Sequence, residues 1–284
     1  MYKVGLSSCG FDLTAGNFEA LQRSGIAAVE ISMGAAEYAV MDYRQVEKLA
    51  RQNGITLWSF HLPFMPFDKI DLSAMEKSVR EDTLGYFSEL IRKGAGIGID
   101  KFVVHPSAEP IETAQREDRM KYAMESLDRL AEIAGSAGAV IAVEDLPRTC
   151  LGNSIAEIRR LISANDALRV CFDTNHLLFD DNVEFVRQLG DKIVTVHISD
   201  YDFVNERHWL PGEGNVDWVA LMDAFEASPY NGVWLYELGQ ACPKTIQRSR
   251  DLTFSDFADN AQSLFRRQKP MVFSTPKPNL GMWE

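Results

Sequence analysis

Short apolar runs recur along the chain, and most of them end in polar residues. They predict strands at residues 3–8, 27–32, 55–61, 101–105, 139–144, 168–173, 193–197 and 232–237. Between them, apolar residues repeat at helical spacing. This spacing predicts helices at residues 17–24, 42–53, 73–97, 113–137, 154–163, 182–189, 216–227 and 254–267. Ser73 with Glu76 and Ser154 with Glu157 have the spacing of capping boxes, so we expect helices to start there.

Strict alternation of strands and helices in a chain of 284 residues favours an α/β fold, a single-domain (β/α)8 TIM barrel. A doubly wound open sheet is the competing arrangement. It is disfavoured because SSCGFD, rather than a G-x-G-x-x-G turn, follows the first strand. We expect residues 1–268 to form the barrel. Residues 269–284, which contain three prolines and no periodic pattern, form a C-terminal extension that is mobile or packed on a neighbouring surface.

Composition and charge narrow the classes of partner. The net charge of −12 argues against a general nucleic-acid binder, which needs clustered Lys and Arg. The four cysteines are far apart and predict reduced thiols. We see no signal peptide and no apolar run of the ~18–20 residues that a membrane span requires. We therefore expect a cytoplasmic protein without a membrane partner, and the apolar segment 271–273 hints at a homo-oligomer.

Acids and histidines stand where the predicted strands end. Glu144, Asp173, His197 and Glu237 end strands five to eight, and in a closed barrel the carboxyl ends of parallel strands meet at one mouth. A buried carboxylate is costly unless it is paired or coordinated, and mixed carboxylate and imidazole donors suit a divalent metal. We therefore expect one divalent ion, Mn²⁺, Mg²⁺, Co²⁺ or Zn²⁺, among which the sequence does not choose. The alternative to a ligand role for a single histidine at a strand end is that of a hydrogen-bonded core residue.

Other residues are expected around this mouth. Arg207 beside His208 is suited to gripping an anionic or polyhydroxylated substrate. The aromatic residues Trp58, Phe60, Phe64 and Phe67 either wall the mouth or pack inside the barrel. Glu30 and Asp200 contact the ligands or the substrate, or only balance charge.

Seven short motifs, in order and at fitting intervals, carry a resemblance to a known family. They are FHLP at 60–63, VVHP at 103–106, VED at 143–145, FDTNH at 172–176, VHISD at 196–200, RHWLPGEG at 207–214 and YEL at 236–238. Together they resemble the xylose isomerase-like barrel superfamily, which includes sugar and sugar-phosphate isomerases and epimerases, inosose dehydratases and endonuclease IV. The resemblance covers the chain to about residue 267.

The resemblance implies specific roles. Glu144, Asp173, His197 and Glu237 would bind the metal, and Glu144 and Glu237 would also move a proton on a substrate carbon through an enediolate. His176 and Arg207 match substrate contacts of the epimerases. His61, His105 and His208 match further metal ligands of endonuclease IV, and we place them beside the substrate. The expected activity is isomerisation or epimerisation of a small sugar, sugar phosphate or polyol.

Three alternatives stay open. A metal-dependent dehydratase of an inosose-like keto-polyol starts with the same proton abstraction. A non-catalytic metal or sugar binder would use the same donors. The ligand set alone does not exclude an endonuclease IV-like nuclease. In that set, this chain has Glu206 at the position where that family has an aspartate. The nuclease is disfavoured because the segments after strands one to three carry one Lys and five acids.

Overall fold

Eight parallel strands form a ring in the computed structural model, which describes residues 2–278 and 280–281. The strands run in the order β7-β6-β5-β4-β3-β2-β1-β8. Their bounds are β1 Lys3–Ser7, β2 Ala28–Ile31, β3 Thr56–His61, β4 Lys101–Val104, β5 Val140–Glu144, β6 Arg169–Asp173, β7 Ile193–His197 and β8 Val233–Tyr236. Beyond β7, the amide of Ile198 donates to the carbonyl of Leu235 at 2.8 Å, and the amide of Glu237 donates to the carbonyl of Ile198 at 3.2 Å. These two bonds close the ring, which confirms the predicted (β/α)8 barrel.

Helices connect the strands and bury one face each. Their bounds are α1 Ala15–Arg23, α2 Ala35–Val40, α3 Tyr43–Gln52, α4 Lys77–Ala95, α5 Arg116–Ser136, α6 Ile155–Ile162, α7 Asn182–Leu189, α8 Trp218–Ala227 and α9 Phe254–Phe265. The short α2 was not predicted, because six residues of AAEYAV are too few to show a helical period.

The predicted start of α4 at Ser73 is wrong, since the helix begins at Lys77. Ser73 is buried instead, and its amide and hydroxyl both donate to Asp71 Oδ1, at 2.8 and 2.7 Å. The predicted start of α6 is confirmed: the Ser154 hydroxyl accepts from the amide of Glu157 at 3.4 Å. The Glu157 carboxylate does not complete the box but accepts from the Arg116 guanidinium at 2.7 Å.

The barrel interior combines small apolar side chains with the acids. Residues two apart on a strand point to the same side, so Ala142 shares a side with Glu144 and Leu235 shares a side with Glu237. Two small apolar groups, separate from the main core, lie below the acids: Ala28, Val233 and Leu235 with Trp58, and Val103, Ala142 and Cys171. The interior is therefore packed with apolar side chains beneath its polar mouth.

The C-terminal tail is partly ordered as a ribbon. Strand β10 (Ser274–Pro276) pairs antiparallel with β9 (Ile246–Arg248), which lies in the segment after β8. Neither strand was predicted, because three-residue strands show no alternation. Of the two forms expected for the extension, mobile or packed, the described tail residues adopt the packed one. The domain boundary at 268/269 stays a prediction.

Membrane insertion through a helix has no support in the described part of the chain, where every helix is too short or too polar to span a bilayer.

Candidate metal centre

Four strand ends bring four donor side chains together at the barrel mouth. Glu144, Asp173 and His197 are the last residues of β5, β6 and β7, and Glu237 follows β8 directly. One potential ligand atom from each residue lies within 4.8 Å of the others. The first three side chains are fully buried and Glu237 is 12% exposed. The structure thus brings together the set that was predicted from the sequence.

His197 presents one ring nitrogen to the acids and the other to Glu30. Its Nδ1 lies 2.8 Å from Glu144 Oε1, 3.3 Å from Glu237 Oε2 and 3.8 Å from Asp173 Oδ2. Its Nε2 lies 3.1 Å from the Glu30 carboxylate. When a metal takes the place of the proton on Nδ1, a carboxylate that accepts Nε2–H keeps the ring in the tautomer that the metal requires.

Asp173 supplies the test of whether these residues fit a cation. Its Oδ2 is buried without a hydrogen-bond partner among the described residues and faces His197 and His176. Burial, with the Glu237 and Glu144 carboxylates nearby, raises the pKa of Asp173 well above its usual range. An orphaned carboxylate oxygen among two further carboxylates and an imidazole fits a divalent cation, which would replace the proton there.

Glu144 also receives two further histidines. Its Oε2 lies 3.1 Å from Nε2 of both His61 and His105. The His61 Nδ1 lies 2.8 Å from the carbonyl of Leu62, which directs its Nε2 at the carboxylate. Although burial acts in the opposite direction, the imidazoles of His197 and His105 hold the pKa of Glu144 well below its usual range. Glu144 therefore connects two adjacent donor groups.

A third donor group lies beside these two. It consists of His176, Glu206 and His208, and His176 Nε2 is 3.2 Å from Glu206 Oε2. Backbone carbonyls fix both rings: His176 Nδ1 lies 2.8 Å from that of Asp145, and His208 Nδ1 lies 3.0 Å from that of Glu237. The histidines were predicted near the substrate, and Glu206 was considered as a ligand only in the nuclease alternative, from its place in ERH.

Arg207 does not line the cavity. Its guanidinium donates to Asp202 at 2.9 Å and to the carbonyl of Gly281 at 2.8 Å, and its side chain is fully buried. The predicted contact of Arg207 with a substrate stays a prediction, and the burial of this side chain against Asp202 does not favour it. Asp200 likewise has a structural role, because its carboxylate accepts from the amides of Tyr201, Gly212 and Val216 and from the Trp218 indole.

Arg148 is the cationic residue of the mouth, and sequence reasoning missed it. Its guanidinium pairs with Glu109, and it donates to Asn205 at 2.8 Å and to Glu206 at 2.7 Å. Its backbone φ of 53° is in the left-handed region, which costs a non-glycine residue free energy. The available signal was its place four residues after Glu144, in the loop that follows β5.

A cavity of about 430 Å³ opens above the donors and is within the usual size of small-molecule sites. Its polar lining includes His61, His105, His176 and His208 with Glu144 and Glu237. Its apolar lining includes Phe64, Met65, Phe67, Leu146, Pro147 and Leu238. Two of the four aromatic residues expected at the mouth, Phe64 and Phe67, are therefore there. Phe60 is instead stacked on Tyr38 in the core, and Trp58 packs among the apolar residues inside the barrel.

Comparisons with known proteins agree with this architecture. Residues 18–253 match the model of a family described as xylose isomerase-like TIM barrel. The structure is similar to that of a D-tagatose 3-epimerase-like protein, with a TM-score of 0.78 and 19% identity, over 93% of this chain and 97% of the other. It is also similar to 3-keto-D-glucoside 4-epimerase from E. coli, with a TM-score of 0.73 and 19% identity, over 93% and 99% of the two chains.

A curated relative gives a higher identity over a shorter stretch. The 3-dehydro-D-guloside 4-epimerase of Escherichia coli K12 is 32% identical over 123 residues, which are 41% of this chain and 45% of that protein. The matches span about half, 42% to 60%, of the length of the curated relatives. The similarities to solved structures at 19% identity establish the fold.

Proposed function

The chain belongs to the family of xylose isomerase-like TIM barrels, and from that premise we propose that it is a divalent-metal-dependent sugar epimerase or isomerase. The observation that carries the proposal is the convergence of Glu144 and Glu237 on the same nitrogen of His197, at 2.8 and 3.3 Å, at the floor of the cavity. Two carboxylates beside a cation site are the groups that proton removal next to a carbonyl requires.

The substrate would occupy the cavity, within reach of its histidines and of the two glutamates. A divalent cation held by Glu144, Asp173, His197 and Glu237 would supply a Lewis acid that polarises the substrate carbonyl. One glutamate removes the proton from the neighbouring carbon to give an enediolate, and the other returns a proton to the opposite face. General acid–base catalysis of this kind contributes ~10²–10⁴ in rate.

The histidines and the apolar lining have separate tasks. His61, His105, His176 and His208 face the cavity and would orient hydroxyl groups, since their rings are held by backbone carbonyls or by Glu144. Phe64, Phe67 and Leu238 would exclude water from the reacting carbons.

Relatives support a sugar ketone as the substrate. One similar structure is described as D-psicose 3-epimerase in the presence of D-fructose, and the curated relative is named as a 4-epimerase of a dehydro-guloside. Both names describe stereochemical inversion at a carbon of a sugar. Opposite-face return of the proton gives this outcome, whereas transfer between neighbouring carbons gives aldose–ketose isomerisation and loss of a β-hydroxyl gives dehydration.

Solvent isotope exchange tests the proposal. The Mn²⁺-loaded protein is incubated in D₂O with a panel of free ketoses, keto-glycosides and keto-cyclitols, and products are analysed by NMR and mass spectrometry. We expect deuterium at the carbon next to the carbonyl together with the epimeric or isomeric sugar. Loss of water would identify a dehydratase instead. Unchanged sugars without deuterium across the panel would contradict both activities and leave a binding protein.

A phosphodiester nuclease is a second candidate because three donor groups adjoin at the mouth, enough for several ions. Against it, much of the cavity lining is apolar, and Arg148 is paired with Glu109 and Glu206. A nicking assay on duplex DNA with an abasic site separates the two candidates. Cleavage by the Zn²⁺-loaded protein that is lost with His176→Ala and His208→Ala would favour the nuclease.

A further inference from the structure

A groove continues from the catalytic cavity across the loops after β1 and β2. Its volume is about 890 Å³, compared with about 430 Å³ for the cavity. Five residues line both spaces: Cys9, Ser32, Phe64, Met65 and Gly239. The space reachable from the donor groups is therefore much larger than a single small sugar needs.

Gly239 lines both the cavity and the groove, and it lies against Gly10. A Cβ on Gly10 would lie 2.6 Å from the Cα of Gly239, so the loops after β1 and β8 touch backbone to backbone. A Cβ on Gly239 would have only the Gly10 Cα within 4 Å, at 3.9 Å. No side chain outside the neighbouring residues comes within 4 Å of that position, and the cavity and the groove adjoin there.

The lining of the groove is apolar and acidic. Phe11, Leu13, Met33 and Met41 line it together with Phe64 and Met65, which are 39% and 55% exposed. Its charged lining residues are Asp12 and Glu37, and its described lining includes no Lys or Arg. Exposed apolar patches of this kind mark binding surfaces, and the aromatic faces suit a ring.

The charged residues of the cavity and the groove favour an uncharged ligand. Arg148, the one Lys or Arg among its described lining residues, is held between Glu109 and Glu206. A phosphate group in the groove would meet the carboxylates of Asp12 and Glu37, and the described lining of the groove includes no Lys, Arg or His. An uncharged ligand avoids this repulsion.

We propose that this groove is a second subsite for the aglycone or second ring of an uncharged glycoside, whose sugar ketone occupies the cavity. The inference rests on the proposed function, because it assigns the cavity to the reacting sugar. It makes an uncharged glycoside, rather than a free or phosphorylated monosaccharide, the preferred substrate class.

Calorimetric titration of the Mn²⁺-loaded protein tests the subsite without turnover. The probes are phenyl β-D-glucoside, D-glucose and D-glucose 6-phosphate. We expect the phenyl glucoside to bind at least about tenfold more tightly than glucose, since its ring buries apolar surface in the groove. Glucose 6-phosphate should bind more weakly than glucose.

A pair of tryptophan substitutions locates the effect. Ala241 is exposed and lines the groove, so Ala241→Trp should fill the groove and reduce the preference for the phenyl glucoside over glucose to less than about twofold. Val40 on α2 is 84% exposed and outside the groove lining, so Val40→Trp should retain the preference. Undetectable binding of the phenyl glucoside, equal affinity for it and glucose, tighter binding of glucose 6-phosphate, or a preference that survives Ala241→Trp would each overturn the subsite.

These outcomes are distinguishable from a failure of the proposed function. If solvent exchange occurs with ketoses but the phenyl group adds no affinity, the subsite is wrong and the epimerase survives. If the preference is present and depends on Ala241 while no ketone exchanges deuterium, the groove binds glycosides and the catalytic proposal fails.

Discussion

The imidazole of His197 is held by Glu30, whose carboxylate lies 3.1 Å from Nε2 at the fully buried centre of the barrel. Glu30 is itself fixed by the Ser59 hydroxyl, which donates to its Oε2 at 2.7 Å. The chain Ser59–Glu30–His197 therefore sets the orientation of the ring and the nitrogen that faces Glu144. Partners of this kind tune metal affinity as the ligands themselves do.

Replacing Glu30 should weaken metal binding while leaving the four proposed ligands in place. Glu30→Gln keeps the shape of the side chain but removes the charge that the Nε2–H of His197 meets. We expect about 10–100-fold lower affinity for Mn²⁺, measured by calorimetric titration of metal-free protein. Exposed Glu132→Gln is the matched control. Wild-type affinity in Glu30→Gln would show that His197 does not depend on this contact.

Removing a proton-transfer group should abolish turnover without unfolding the protein. Glu144→Gln and Glu237→Gln should each retain the circular dichroism spectrum of the wild type and lose at least about 10³-fold in kcat. Metal content is measured on the same samples, because each glutamate is also a proposed ligand. Turnover close to that of the wild type in either variant would reject that residue's role.

Chelation should destabilise the protein. The cluster of carboxylates at Glu144, Asp173 and Glu237 repels itself when no cation is bound. A ligand present at about 100 times its Kd adds ~2.7 kcal/mol to the free energy of unfolding, so EDTA should lower Tm by several degrees and Mn²⁺ should restore it. A Tm that is the same with EDTA and with excess Mn²⁺ would argue against a metal bound by the folded state.

Two glycines on α4 should respond to alanine with opposite signs. A Cβ on Gly94 would lie 2.7 Å from Phe102 Cε1, whereas one on Gly85 would have no atom within 4 Å. Gly85→Ala should raise the free energy of unfolding by about 0.5–1 kcal/mol through helix propensity. Gly94→Ala should lower it by about 1 kcal/mol, since overpacking outweighs that gain. Urea unfolding of the two variants measures both values, and equal signs would contradict the close packing of α4 on β4.

Asp256 should contribute to the free energy of unfolding near neutral pH and not at strongly acidic pH. Hydrogen bonds from the Arg250 guanidinium and from Thr253 lower the pKa of Asp256 to about 2. A depressed pKa stabilises the fold at pH values above the unfolded pKa of ~3.9, and this contribution disappears as pH falls towards 2. Asp256→Asn should therefore cost about 1 kcal/mol at pH 6, less than the full pKa shift corresponds to because solvent screens the pair with exposed Arg250, and progressively less below pH 4.

Urea unfolding at several pH values measures this difference between wild type and Asp256→Asn. Exposed Asp82→Asn serves as the control and should show little difference from the wild type at any pH. A difference for Asp256→Asn that is constant from pH 6 to pH 3 would contradict the ionised pair with Arg250.

The sequence by itself determined the barrel and its central donors. The strand ends at Glu144, Asp173, His197 and Glu237 could be predicted because a buried strand is a local run of apolar residues. The first ionisable residue after such a run lies at the mouth of the barrel. Closure of the ring then forces those four ends together, whatever the loops do. The helix start at Ser154 was predicted correctly because its cap depends on neighbours in sequence, whereas the same spacing at Ser73 failed because Ser73 is hydrogen-bonded to Asp71.

Only the tertiary structure decided which side chains meet. Nothing local distinguishes Arg148, which lies at the mouth, from Arg207, which is buried against Asp202. The loops that place them have no periodicity, and their side-chain directions depend on partners far away along the chain. The bond from Glu30 to His197 joins residues 167 positions apart, and it exists because closure of the ring brings the inward-facing side chains of β2 and β7 together.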